Sequence, residues 1–134
     1  MAHRLLCPSC SSQLNPRDDL ILAAAHRGKR GLVLLHSEPG NYRVVVSQGL
    51  EFAGGDVVDF FCPACQAPLT SKLDSKLVQL DFVSAEGSPT GFVAFSRVYG
   101  EHSTFVVSKD SVSSYGESAP AYLQRGLFIG LRLG

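Results

Sequence analysis

Apolar and polar positions alternate over much of this chain at the spacing of β-strands, with turn residues between the runs. Leu20-Ile21-Leu22-Ala23-Ala24 and Leu32-Val33-Leu34-Leu35 flank His26-Arg27-Gly28-Lys29-Arg30-Gly31, a Gly-containing segment suited to a hairpin. A helix competes over 17–25: Asn15 is a capping residue type, Pro16 suits a first helical position, and Asp18 and Asp19 suit a helix N-terminus. Strands are preferred, because Gly28 and Gly31 leave that helix only about two or three turns. Tyr42, Val44 and Val46 then alternate with Arg43, Val45 and Ser47, the period of a half-buried strand. Val57 to Phe61 predicts a strand running into Cys62, and Val78, Leu80 and Phe82 alternate beyond it. Glu86-Gly87-Ser88-Pro89 supplies turn chemistry, and Phe92–Tyr99 with Thr104–Ser108 completes a meander. A short helix is expected near Ala119–Arg125, starting at Ser118 or Ala119 and ending at Gly126. The pattern predicts a mostly β fold, a small antiparallel sheet domain with at most short helices.

One local device occurs twice. Leu5-Leu6-Cys7-Pro8-Ser9-Cys10-Ser11-Ser12-Gln13-Leu14 matches Phe60-Phe61-Cys62-Pro63-Ala64-Cys65-Gln66-Ala67-Pro68-Leu69: two apolar residues, Cys-Pro-x-Cys, three residues and a leucine. The match is too short for a solenoid repeat. It nevertheless uses all four cysteines of the chain. Two Cys-x-x-Cys turns each bring a pair of sulfurs to one point, and together they supply the four thiolates of a closed tetrahedral metal site.

These two turns resemble the metal knuckles of zinc-ribbon and rubredoxin-like proteins. The resemblance covers about 25 residues and implies one Zn²⁺ held by Cys7, Cys10, Cys62 and Cys65. Two features depart from the pattern. Many such knuckles carry Gly after the second cysteine, where this chain has Ser11 and Gln66. Zinc ribbons also join their pairs through a short hairpin, whereas 51 residues separate Cys10 from Cys62. Iron in the same four thiolates gives the same sequence, so zinc is the expected ion and rubredoxin-like electron transfer the competitor. Cys-Pro-x-Cys also resembles the glutaredoxin motif, whose reactive cysteine starts a helix. Pro16 and Pro68 stand too close behind the two pairs for a long helix to begin at either.

Composition narrows the rest. With 134 residues, 45% hydrophobic and only 18% charged, the chain fits one globular domain over 1–134. Within it the knuckles occupy 5–14 and 60–69, a β-hairpin insertion 15–59, and a meander and tail 70–134. Twelve basic against twelve acidic residues argue against a general phosphate-backbone binder. The one basic cluster, Arg27, Lys29 and Arg30 beside His26, is the candidate contact for nucleic acid or an anion. An ordinary solubilising loop tip is its simpler reading. His3 lies near Cys7, within reach of a hydrogen bond to a sulfur, but exposure to solvent is its preferred reading, and His36 and His102 are expected to face solvent. Phe92, Phe95, Tyr99 and Phe105 read more simply as core than as a base-stacking surface.

No catalytic constellation emerges, so a non-catalytic module is expected. Asp56 and Asp59 fit no acid–base pattern, and the polar run around Ser111–Gly116 holds no nucleophile elbow. A protein partner or self-association is the expected mode of action, through an edge strand or the apolar tail around Phe128; nucleic-acid binding is the second reading. Neither a leader pattern nor a membrane-length apolar run is present, and a cytoplasmic location is expected.

Overall fold

The computed structural model describes residues 4–38, 40–83, 89–108 and 112–124. They form nine strands and a short helix. The strands are β1 (Arg4–Leu6), β2 (Asp19–His26), β3 (Lys29–His36), β4 (Val44–Val46), β5 (Asp59–Phe61), β6 (Leu77–Val83), β7 (Pro89–Ser96), β8 (Thr104–Ser108) and β9 (Val112–Tyr115), with α1 at Ala119–Gln124. The fold is mostly β, with two antiparallel sheets ordered β4-β3-β2-β5 and β1-β6-β7-β8-β9.

Residues 19–26 are a strand and not a helix. Leu20, Leu22 and Ala24 are buried while Ile21, Ala23 and Ala25 are half-exposed, which is the two-residue period of a strand. Arg27 and Gly28 both take positive φ (53° and 80°), closing a two-residue hairpin whose chain twist suits the flanking strands. His26 therefore ends β2 rather than sitting in the loop.

The segment between the knuckles is more than a hairpin. β4 adds to the outer side of β3, and β5 pairs with β2 through Phe60↔Ala24. β1 lies in the other sheet, with Leu5 opposite Phe82. Each sheet thus begins with the short strand that leads into a knuckle, taken from the other half of the chain.

Some boundaries differ from the pattern-based expectation. Val57 makes only an isolated bridge to Val98, so β5 is three residues long and β7 ends at Ser96. Val44 and Val45 are exposed on β4, which ends its sheet among the described residues. Pro89 opens β7, while 84–88, the tail around Phe128, His3 and the expected helix end at Arg125 and Gly126 lie outside the described residues.

The main core fills the space between the sheets and includes Leu5, Leu14, Leu20, Leu22, Val33, Phe60, Leu69, Val78, Leu80, Phe82 and Val93. Cys7 and Cys62 belong to the same cluster and are fully buried. A second cluster, Leu77, Ala94, Phe105, Val107, Ala119 and Tyr122, lies under α1.

Candidate metal centre

Each knuckle is a small hairpin with the same internal hydrogen bonds. The Cys7 amide donates to the Ser12 carbonyl (3.0 Å), and the Ser11 amide donates back to the Cys7 carbonyl (2.9 Å). In the second knuckle the Cys62 amide donates to Ala67 (3.0 Å) and the Gln66 amide to Cys62 (2.9 Å). The turn requires a left-handed residue after its second cysteine, and Ser11 (φ 63°) and Gln66 (φ 65°) adopt it. Glycine is favoured there in metal knuckles for that conformation, so its absence here leaves the turn geometry intact.

Below each knuckle the returning leucine closes the hairpin. The Leu14 amide donates to Leu5 (2.8 Å) and the Leu69 amide to Phe60 (3.0 Å). Both leucines are buried, so each turn is seated on the core.

The four sulfurs meet. All lie within 4.8 Å of one another, with Cys7 Sγ 3.7 Å from Cys65 Sγ and Cys10 Sγ 3.7 Å from Cys62 Sγ. A tetrahedral ion with metal–sulfur bonds of about 2.3 Å holds its sulfurs about 3.8 Å apart, so the cluster has the dimensions of a Cys₄ site. Backbone amides already point at the sulfurs: Ser9 at Cys7 Sγ (3.3 Å), Ala64 at Cys62 Sγ (3.3 Å) and Cys65 at Cys62 Sγ (3.4 Å). Such donors favour thiolate and fit a charged metal–sulfur centre.

The thiols differ strongly in acidity. The Ser12 side chain and then its backbone draw Cys10 down to about 6. The Ala67 amide favours the Cys65 thiolate, but desolvation and the three other sulfurs outweigh it and push Cys65 up to about 12. Desolvation also raises Cys62. One negative charge is comfortable among four crowded sulfurs, and further ones repel it. A cation relieves that repulsion and releases the remaining protons.

The basic loop is less open than its sequence implies. His26 Nε2 lies 3.1 Å from Asp56 Oδ2, and Arg27 reaches Asp56 Oδ1 at 3.7 Å. The Arg30 guanidinium sits 5.2 Å from the ring centre of Phe61. Lys29 is exposed at the tip. Asp59 pairs with Arg97. His102 stacks on Tyr42, with centroids 4.3 Å apart, and reaches Glu117 at 2.9 Å instead of only facing solvent. None of these pairings carries a pattern that could have been read from the sequence.

Asp56 has a measurable consequence. The Ala53 amide, then His26 and Arg27, hold its carboxyl below the ordinary carboxylate range. A depressed folded-state pKa contributes stability above the unfolded value, about 3.9, that fades as pH falls through the folded one. Asp56→Asn should therefore lower the melting temperature at pH 7 and matter progressively less below pH about 4. Thermal melts of both proteins across that range check it; a constant gap would remove Asp56 from the acid response.

A cleft of about 290 Å³ opens between the sheets, bordered by Tyr42, Phe95, Arg97, Glu101 and His102. Its charged groups are engaged: Arg97 with Asp59, Glu101 with Ser96 and Tyr122, and His102 with Glu117. No helix among the described residues is long and apolar enough to cross a membrane. Compared with known protein families, with curated proteins and with solved structures, the chain matches none.

Proposed function

We propose that this protein is a non-catalytic binding and assembly module clipped by one structural zinc ion on Cys7, Cys10, Cys62 and Cys65. The observation that carries this reading is the convergence of four sulfurs, at tetrahedral spacing, from two knuckles remote in sequence. Four protein ligands complete a tetrahedron and leave no position for water or substrate, as in structural zinc sites. Thiol exchange within a Cys-x-x-Cys pair needs the two sulfurs of that pair to meet at disulfide distance. The 3.7 Å approaches here run between the pairs, Cys7 to Cys65 and Cys10 to Cys62, which supports shared ligation over a redox dithiol.

Metal analysis with a visible spectrum, on untagged protein purified without added metal, tests the reading. The expected result is one equivalent of zinc and no colour. Iron and visible absorption would overturn zinc and make one-electron transfer the leading function.

The contact surface in this reading is the outer edge of β4. Edge strands present unpaired backbone donors and acceptors. Among the described residues β4 has no neighbour on that side, and it lies beside exposed Val44, Val45 and, on β3, Leu32. Antiparallel pairing of Val44–Val46 with a second copy puts Val45 opposite itself. Val45 is 53% exposed, so lysine there is accommodated in the monomer. Val45→Lys is expected to abolish concentration-dependent association in sedimentation while metal content stays unchanged. Wild-type protein that is monomeric at every concentration would sink this surface.

A further inference from the structure

We infer that the chain is one knuckle-and-sheet unit present twice, at 4–46 and 59–106, and folded about a pseudo-twofold axis through the four sulfurs. The partner for which each unit is shaped is a second copy of itself, here supplied by the same chain. This stands on strand registers and holds whichever ion the cysteines take.

The correspondence extends far beyond the knuckles. Leaving aside β9, the sheets read β5-β2-β3-β4 and β1-β6-β7-β8, so each starts with the other unit's leading strand. Residue by residue the pairings match. Phe60↔Ala24 answers to Leu5↔Phe82, Leu22↔Val33 to Leu80↔Val93, and Leu20↔Leu35 to Val78↔Phe95. Farther out, Val33↔Val46 answers to Val93↔Val106 and Leu34↔Val45 to Ala94↔Phe105. Two unrelated meanders share a pairing order easily, but not which residue faces which.

Irregular details repeat too. The Ile21 amide donates to Leu14 as Gln79 donates to Leu69, Ser37 to Asp18 as Arg97 to Lys76, and Asn41 to Glu38 as Glu101 to Val98. Gly40 (φ 90°) and Gly100 (φ 86°) turn the matching loops. A Cβ on Gly31 would meet Ser47 Oγ at 2.3 Å, and one on Gly91 would meet the carbonyl of Val107, the counterpart of Ser47, at 1.8 Å.

Contacts across the axis are reciprocal, as a twofold demands. Exchanging the units turns the Cys7–Cys65 approach into Cys62–Cys10, and both measure 3.7 Å. Tyr42 and His102 occupy equivalent positions and stack on each other, as equivalent residues do only at the axis.

The copies differ at one end. β9 covers the edge of β8, and α1 covers Phe105, which is fully buried. In the first unit the matching strand β4 ends its sheet, and Val45, the counterpart of Phe105, is exposed. Among the described residues, the exposed β4 surface is thus the one whose counterpart the chain itself has covered.

A reciprocal exchange of core pairs in the full chain tests equivalence. Ala24→Phe with Phe60→Leu gives the first pair the residues of the second; Leu5→Phe with Phe82→Ala does the reverse. Either double exchange alone changes local core volume and should lower the melting temperature by about 5–15 °C. All four together restore both pair compositions in swapped places and should recover more than half of the summed loss. A four-residue variant that loses the sum of the two doubles would overturn the inference. Should the large exchange not fold, swapping Leu20 and Leu35 with Val78 and Phe95 applies the same test with smaller volume changes. Neither outcome depends on which metal is bound, so failure here is separable from failure of the zinc reading.

Discussion

Serine in place of Cys62 is expected to abolish retention of one metal equivalent and to lower the melting temperature by more than metal removal alone. Two effects combine. The first is loss of a ligand. At free metal about a thousandfold above its dissociation constant, binding only to the folded state contributes about 4 kcal/mol. For a chain of this size that corresponds to about 8–16 °C. An ion on the four sulfurs would tie Cys7 to Cys62 across a long stretch of chain, so its removal would free a large loop as well as four thiols. The second effect is local. Cys62 is fully buried in the main core, and a serine hydroxyl there has no sulfur-sized volume and weaker apolar contact.

Wild-type protein with a strong chelator isolates the first effect. Its melting temperature should fall between those of loaded wild type and Cys62→Ser. Cys10→Ser supplies the complementary control: Cys10 is exposed, so losing its sulfur removes a ligand with little change to the core. Identical melting of loaded and chelated wild type would end the structural role of the ion.

The four-sulfur cluster was legible because its signal is local. A Cys-x-x-Cys pair declares its geometry within four residues, and two matched pairs declare a shared point. The strand class was legible for a similar reason, since Leu20–Leu22–Ala24 and Val78–Leu80–Phe82 write their period along one segment. What stayed hidden was pairing. β1 and β5 are three residues long, too short to show a period, and their exchange between sheets rests on partners far along the chain. The duplication was visible only in ten residues because the core keeps shape and not identity. Ala24 stands where Phe82 stands, yet each strand pair holds one phenylalanine, at Phe60 or at Phe82. His26 looked like a loop residue because the apolar run stops just before it, while Asp56, its neighbour in space, is thirty positions away.

Phe105→Ala should be the most damaging change far from the four-sulfur cluster. Phe105 is fully buried in the second cluster, and its ring meets that of Tyr122 edge-on, with centroids 6.0 Å apart. Truncation removes both that contact and the support under α1. Phenylalanine-to-alanine changes in cores cost about 3–5 kcal/mol, which here means a melting temperature lower by about 6–20 °C. Phe105→Leu fills most of the volume and should lose less than half as much. The second cluster lies on the far side of β6–β8 from the main core, so one equivalent of metal should remain bound below the lowered transition. Val45→Ala, at the equivalent but exposed position, should be nearly neutral for the melting temperature at concentrations where the protein is monomeric, as surface changes generally are. The same strand position is thus critical in one unit and nearly silent in the other, because only one of them has β9 and α1 packed over it. Equal losses at Phe105 and Val45 would mean that something also covers β4 in solution, and would direct the search for a partner to that face.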